Sequence, residues 1–254
     1  MMRKMISLMY HDVYEHTVHE SGFQTAPANK YKISKEEFEK QIQRISQYCT
    51  DRNILKENVT LTFDDGGASF YSIIAPILKE YGFKGYFFIS TAFINTKGFL
   101  TSDQVISLHE EGHFIGAHSH THPGMLNKLP LVELEEEWSV SIKILNELLK
   151  IKTTHVSIPG GSFSKEMGNI LASKGIESIF ISQPTDKIEL ISDNCRTIGR
   201  FAIYNNTKVS EVEDLLKTVS VTRLRQIVKW KSLILFKYVL GTNYLKIRKF
   251  LLKS

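Results

Sequence analysis

Cysteine is scarce in this chain. Cys49 and Cys195 are the two among 254 residues. They build neither a disulfide framework nor a cysteine metal motif, and they read as packing residues of a reducing compartment. Long apolar runs are missing too, and none approaches the ~18 residues that span a bilayer. The opening Met1-Met2-Arg3-Lys4 has the charge of a secretory leader, but the apolar stretch behind it meets His11 and Asp12 too soon to form a leader core. The expected location is therefore the cytoplasm. Acid disappears after Asp214, while residues 215–254 carry ten Lys or Arg, so the net charge of +5 hides a mildly acidic body and a strongly basic tail. No histidine follows His155, and no internal repeat or low-complexity segment occurs.

What remains is ordinary globular material. Hydrophobic residues make up 42% of the chain, enough for a sizeable core, and the length suits one large α/β domain or two small ones. Strand-like runs alternate with helical patterns. Strands are expected near residues 5–10, 59–63, 84–90, 114–117, 155–158, 176–182 and 197–203. Ser34-Lys35-Glu36-Glu37 and Thr101-Ser102-Asp103-Gln104 are helix-opening signals. A helix over 69–81 is interrupted by Pro76, one over 130–150 sets Leu134, Trp138, Ile142, Leu145 and Leu149 on one face, one runs over about 164–174, and Ser210 caps a final body helix. This alternation argues for α/β architecture with a parallel sheet, open or closed into a barrel. The expected division is a body over 1–220 and a basic helical tail over 221–254.

The chemistry sits where strands end. Val59-Thr60-Leu61-Thr62-Phe63 stops on Asp64-Asp65-Gly66, and two adjacent acids belong at a strand's end rather than in its core. Phe114-Ile115-Gly116-Ala117 stops on His118-Ser119-His120-Thr121-His122-Pro123. One acid and two histidines from different strand ends make a three-ligand site with an open position, the arrangement of catalytic metal. The plain alternative has the aspartates capping the next helix and the histidines filling a turn. It leaves unexplained why two strands end in ligand types. A third run, Ile6-Ser7-Leu8-Met9-Tyr10, also ends in histidine, His11.

These residues resemble a known family. Thr62-Phe63-Asp64-Asp65-Gly66 is similar to the first motif of the NodB-type polysaccharide deacetylases, His118-Ser119-His120-Thr121-His122 to their second, and Ser157-Ile158-Pro159-Gly160-Gly161 to a worn third motif. The resemblance covers roughly residues 5–205. It implies an irregular (β/α) barrel of about seven parallel strands, with Asp65, His118 and His122 holding one divalent metal. Zinc is the first expectation, and cobalt, nickel or iron suit the same donors. Asp64 would be the general base toward metal-activated water, and a backbone N–H in the Pro159-Gly160-Gly161 loop would meet the oxyanion. Tyr10-His11 looks like the opening of the circularly permuted members that act on poly-N-acetylglucosamine, which makes His11 the expected general acid.

Two departures stand out. Ser157 occupies the place of the third-motif arginine that orients the base, and Arg200 is the substitute suggested here. The late Leu-His motif is absent, which is why the acid is sought at His11. The implied activity is removal of an N-acetyl group from an amino sugar in a glycan, glycolipid or nucleotide-sugar precursor. The alternatives are hydrolysis of another non-peptide C–N bond and a non-catalytic carbohydrate-binding relic, and retention of Asp64 argues against the relic.

The tail carries the last expectation. Residues 222–240 read as a helix with Leu224, Ile227, Val228, Leu233, Ile234, Leu235, Phe236 and Val239 on a wide apolar face, flanked by Arg225, Lys229, Lys231 and Lys237, with Trp230 and Tyr238 suited to a headgroup boundary. Gly241-Thr242-Asn243 breaks it before Lys246, Arg248, Lys249 and Lys253. A basic amphipathic helix is the pattern of an interfacial anchor at an anionic membrane, here its inner face. Packing of the helix on the barrel is the other reading. No nucleic-acid-reading motif accompanies the charge.

Overall fold

Apolar runs and amphipathic segments take turns along the chain and fold as strands and helices in turn. The computed structural model describes residues 6–240, with the side chains of the last helix described to Leu235. In chain order the elements are β1 (Ile6–Tyr10), β2 (Val13–Tyr14), α1 (Ala26–Asn29), β3 (Ile33–Ser34), α2 (Lys35–Asp51), β4 (Val59–Phe63), α3 (Ala75–Glu80), β5 (Gly85–Ile89), α4 (Ser102–Glu110) and β6 (Phe114–Ala117). There follow α5 (Leu131–Leu149), β7 (His155–Ser157), α6 (Lys165–Ser173), β8 (Ser178–Ile181), β9 (Ile188–Ser192), β10 (Cys195–Gly199), β11 (Phe201–Ala202), α7 (Val209–Leu216) and α8 (Val221–Leu240). The Gly241-Thr242-Asn243 break, the basic residues from Lys246 onward, and the side chains of Phe236, Lys237, Tyr238 and Val239 lie outside the described residues.

Local chemistry sets the boundaries. Ser34 accepts the Glu37 N–H to open α2, and Thr101 and Gln104 cap α4 reciprocally. The expected helix over 69–81 is two pieces, a π-turn at Phe70–Ile74 and then α3, with Pro76 in the first turn of α3. Proline lacks the N–H that would bond back into the preceding turn, so a new helix starts there. The last body helix is capped two residues earlier than expected: the Glu211 carboxylate accepts the Lys208 N–H, and Ser210 lies inside α7.

Nine strands form one sheet in the order β11-β1-β4-β5-β6-β7-β8-β10-β9, and every neighbouring pair is parallel except β10 with β9. β10 and β11 are one strand broken at Arg200. Its first half pairs with β8 and its second half with β1, so the curled sheet meets itself. The staves are then β1, β4, β5, β6, β7, β8 and the composite β10–β11, an irregular (β/α) barrel. β9 is an addition that the sequence did not signal. It is short and mostly exposed, and pairing with β10 rather than burial holds it.

Strand alternation divides the buried residues in two. One parity, with Leu8, Tyr10, Leu61, Phe63 and Phe87, meets Phe38 and Ile42 of α2 and Leu145 of α5 in the main core. The other parity faces the barrel axis, where Phe88, Phe180 and Ile198 make a separate cluster. Thr62, Ser157 and Arg200 are buried on that inner parity. Followed past the strand ends, it also carries His11, Asp64 and His118. Parallel barrels gather their chemistry at this C-terminal edge.

Candidate active site

Asp64 and Asp65 are adjacent in sequence but leave β4 differently. The Asp64 N–H still bonds to the Tyr10 carbonyl at 3.1 Å, so Asp64 keeps the strand's register and points along the inner parity. At Asp65 the chain turns: φ is 87° there and 91° at Gly66. Glycine tolerates that region, whereas an aspartate there costs on the order of 1 kcal/mol or more. A Cβ on Gly66 would also stand 3.1 Å from Ile89 Cγ2. The turn swings the Asp65 carboxylate toward the end of β6.

The histidine loop is tight as well, with Ser119 and His122 at φ 60° and 55°. Glu137 on α5 holds it, accepting the His120 and Thr121 N–H groups at 2.9 Å each and the Thr121 hydroxyl at 2.5 Å. Ser141 adds a bond to the Ser119 carbonyl at 2.9 Å. His118 Nδ1 lies 2.9 Å from the Ser157 carbonyl. A carbonyl only accepts, so Nδ1 carries the proton and Nε2 keeps its lone pair. The Nε2 atoms of His118 and His122 each stand 3.4 Å from Asp65 Oδ1. All three donors lie within 4.8 Å of one another, and this oxygen and two imidazole nitrogens fit a divalent ion with a position to spare. Burial would raise the Asp65 pKa, but the His118 and His122 rings facing it outweigh this and hold the carboxyl well below the usual range.

Asp64 is not part of that donor set. Burial works against its charge, and the Arg200 guanidinium overcomes this and draws its pKa down. Arg200 Nη1 donates to Oδ1 at 2.7 Å and Nη2 to Oδ2 at 2.8 Å. Ser157 Oγ donates to Oδ2 at 3.1 Å and accepts from Arg200 Nη2 at 2.8 Å. Thr62 Oγ1 accepts from Nη1 at 3.1 Å. Arg200 is wholly buried.

His11 ends β1 and stacks on Tyr31 with ring centroids 4.4 Å apart. Its Nδ1 is buried without a partner, and burial lowers its pKa against the pull of the Asp65 and Asp64 carboxylates. Pro159, Gly160 and Gly161 form a single 3-10 turn after β7, with Pro159 buried and both glycines left-handed. His11, Asp64, Asp65, His118, His122, Gly160 and Gly161 line one cleft of about 560 Å³. Arg200 lies beneath Asp64.

Several neighbours escaped the sequence reading. Tyr31 behind His11 and Glu137 behind the histidine loop carry no motif signal. Trp230, expected at a membrane boundary, stands on the cleft wall, and a Cβ on Gly161 would approach its ring to 2.9 Å. Asp12, next to His11, is buried and accepts from Ser21 Oγ and Ser69 Oγ at 2.5 and 2.8 Å, and burial pushes its pKa up to about 6. The remaining histidines stay out of the donor set: His120 turns to Thr91 Oγ1 at 2.9 Å, His113 Nδ1 accepts the Gly85 N–H, and His155 packs edge-on against Tyr86.

The sequence model for polysaccharide deacetylase matches residues 51–179, just over half the chain and the stretch that holds Asp64, Asp65, His118 and His122. The chain belongs to the polysaccharide deacetylase family. Among its relatives is the putative polysaccharide deacetylase YxkH of Bacillus subtilis strain 168, 26% identical over 195 residues, which are 71% of this chain and 65% of that protein. The chain thus spans somewhat less than two thirds of this relative. Two solved structures share the polysaccharide deacetylase fold. Streptococcus pyogenes deacetylase PplD, solved with acetate, superposes with a TM-score of 0.69 at 21% identity, covering 84% of this chain and 98% of the other. BC0361, a polysaccharide deacetylase from Bacillus cereus, gives 0.67 at 18% identity, covering 84% and 68%.

Proposed function

We propose that this family member hydrolyses the N-acetyl amide of an amino sugar. The observation that supports it is the pairing of two separate devices in one cleft. Asp65, His118 and His122 form a convergent donor set, and beside them Asp64, which is no part of that set, is locked in place by Arg200. A relic that merely binds sugar has no need of the second device.

Asp65, His118 and His122 would hold a divalent ion, which would supply Lewis acidity toward water and the acetyl carbonyl; zinc, cobalt, nickel and iron all suit these donors. The rest falls to the chain. Asp64 takes the water's proton at Oδ1, which accepts one bond from Arg200, whereas Oδ2 accepts two. The Gly160 backbone N–H, on the cleft wall, serves the developing oxyanion. His11 delivers a proton to the leaving nitrogen as the C–N bond breaks. Burial keeps the ring neutral at rest, so the proton it delivers is the one Asp64 has taken from water, and the nearby carboxylates favour the ring's taking it up.

The test is acetate and amine release from N-acetylated amino-sugar oligomers with added metal. Asp64→Asn keeps the shape and should keep the metal, yet lose at least about 10²-fold in rate. His118→Ala and His122→Ala should lose metal and activity together. Stoichiometric metal in both histidine variants would misplace the site, and near-normal turnover by Asp64→Asn would remove the base. Cleavage of a non-sugar amide but of no amino sugar would favour the other C–N hydrolase reading.

We also propose that α8 rests on an anionic membrane surface, at the inner face if the protein is cytoplasmic. No helix of the described residues is long and apolar enough to cross a membrane. Gln226 and Ile227 face the barrel, while Val221, Leu224, Val228, Ile234 and Leu235 are exposed on α8 among Arg225, Lys229 and Lys231. Flotation of the full chain and of a Leu224→Asn/Val228→Asn/Ile234→Asn variant with anionic vesicles tests this. Equal recovery of both forms would refute it.

A further inference from the structure

A second cavity, of about 480 Å³, lies between α8 and the rim of the barrel. Met9, Tyr31, Ser182 and Trp230 line both this cavity and the catalytic cleft, so the two share a wall. The far side of the second cavity carries Lys208, Arg225 and Lys229 against one acid, Glu211. That acid is engaged by the Lys208 N–H at 3.0 Å, and Arg225 makes no ion pair among the described residues. Three cations against one carboxylate leave an excess of two positive charges.

The surface between the two cavities is aromatic. His11 packs against Tyr31 at 4.4 Å and Tyr31 against Tyr204 at 4.9 Å, both pairs with tilted rings, and the Lys229 ammonium stands 5.3 Å over the Tyr204 ring. Such a floor suits the apolar face of a sugar ring. Trp230 Nε1 is buried at the shared wall without a hydrogen-bond partner. A donor left unpaired there is costly, and a ligand oxygen would relieve it. The family match ends at residue 179, and every charged residue of this cavity lies after it.

We infer that this cavity is a subsite for a phosphoryl group carried by the amino sugar whose N-acetyl group lies in the catalytic cleft. The inference rests on the deacetylase reading for the second half of that statement and on the cavity alone for the first. An excess of two positive charges matches a phosphate near −2 better than a carboxylate at −1. The phosphoryl group belongs either to a soluble phosphosugar, a monoester near −2, or to a sugar linked to a polyprenyl chain through a diphosphate, also near −2, and both bring two negative charges to Arg225 and Lys229.

Trp230 is a built-in reporter, because the other tryptophan of the chain, Trp138, is wholly buried in the core. Fluorescence of the full-length protein is titrated with N-acetylglucosamine, N-acetylglucosamine 1-phosphate, N-acetylmuramic acid, and polyprenyl-diphosphate-linked N-acetylglucosamine in detergent micelles. The phosphosugars should bind at least about tenfold tighter than N-acetylglucosamine. Arg225→Ala/Lys229→Ala should lose that advantage, Arg225→Lys/Lys229→Arg should retain most of it, and Trp230→Phe should silence the signal. A tighter Kd for the polyprenyl compound than for the 1-phosphate assigns the source to lipid, and equal values assign it to a soluble sugar. Equal binding of charged and uncharged sugars overturns the subsite, as does binding of the muramic carboxylate as tight as the phosphate. Hydrolysis is followed in parallel. Phosphosugar binding without hydrolysis of any amide would sink the deacetylase reading and leave the subsite standing, whereas hydrolysis without phosphosugar preference would do the reverse.

Discussion

Arg200 grips Asp64 with both arms of its guanidinium, Nη1 to Oδ1 and Nη2 to Oδ2, at 2.7 and 2.8 Å. The two residues are 136 apart in sequence and meet inside the barrel. In the resembled motif the arginine stands where this chain has Ser157. Here Ser157 bridges the pair, donating to one member and accepting from the other. The guanidinium on Asp64 comes from the break between β10 and β11 and not from the end of β7, and it meets the carboxylate as a planar fork.

That relationship separates charge from geometry. Arg200→Ala leaves a buried carboxylate unpaired and should cost about 3–5 kcal/mol of stability as well as most of the activity. Arg200→Lys keeps the charge without the fork, so kcat should fall while thermal unfolding moves much less. Wild-type kcat in the alanine variant, with folding verified by circular dichroism, would dissociate Arg200 from the chemistry.

His11 is to be tested by what it leaves intact. His11→Ala should lower kcat by about 10²-fold or more with metal content unchanged, because the ring is no part of the convergent donor set. The basic limb of the pH–rate profile should shift or vanish. An unchanged profile returns His11 to a structural role against Tyr31.

Glu137 touches no candidate ligand side chain, yet it fixes the loop from which His122 projects through three bonds. Glu137→Ala should weaken metal binding about 10–100-fold, as loss of an outer partner does elsewhere. Competition with a metallochromic dye measures this. Unchanged affinity would show that Ser141 and the backbone hold the loop unaided.

His113 makes the fold acid-sensitive. Burial, with help from the Lys84 charge, lowers its pKa from 6.5 to about 4, and its Nδ1 accepts the Gly85 N–H. A histidine whose folded pKa is depressed contributes stability that is fully present above pH 6.5 and is lost as pH falls from there toward 4. The loss reaches up to about 3 kcal/mol. Asp12 works in the opposite direction, since its folded pKa is raised and its protonation near pH 6 favours the folded state. Denaturant titrations of wild type and His113→Gln at pH 7 and pH 4.5 isolate the histidine: the variant should lose less stability between the two. An equal loss would place the acid sensitivity elsewhere.

Much of the site was legible because strand ends announce themselves. An apolar run that stops on Asp64-Asp65-Gly66, and another that stops on His118, put ligand types at the rim of a parallel sheet by residue order alone. His11 was found by the same rule at the end of β1. Caps that act over three or four residues, such as Ser34 and Thr101, were legible too, since their partners lie within the same turn. β9 was not, because its support is a neighbouring strand rather than its own burial pattern.

The sequence by itself determined the residue types, their order and the faces they occupy, since periodicity and capping are local matters of backbone geometry. Tertiary structure alone decided which distant groups meet. The resemblance suggests Arg200 as the group that orients Asp64, but no local pattern around Arg200 brings the two together, and nothing near Trp230 marks the cleft wall as its place. Ring closure put them there: β10–β11 pairs with β8 on one side and β1 on the other, and this carries Arg200 across the barrel axis. Gln226 then clasps the Ala202 backbone N–H and carbonyl, at 3.0 and 2.9 Å, and seats α8 on the rim. A buried charge must find its counter-charge, and an open strand edge must find its hydrogen bonds. Those demands are met in space and leave no local trace in the chain.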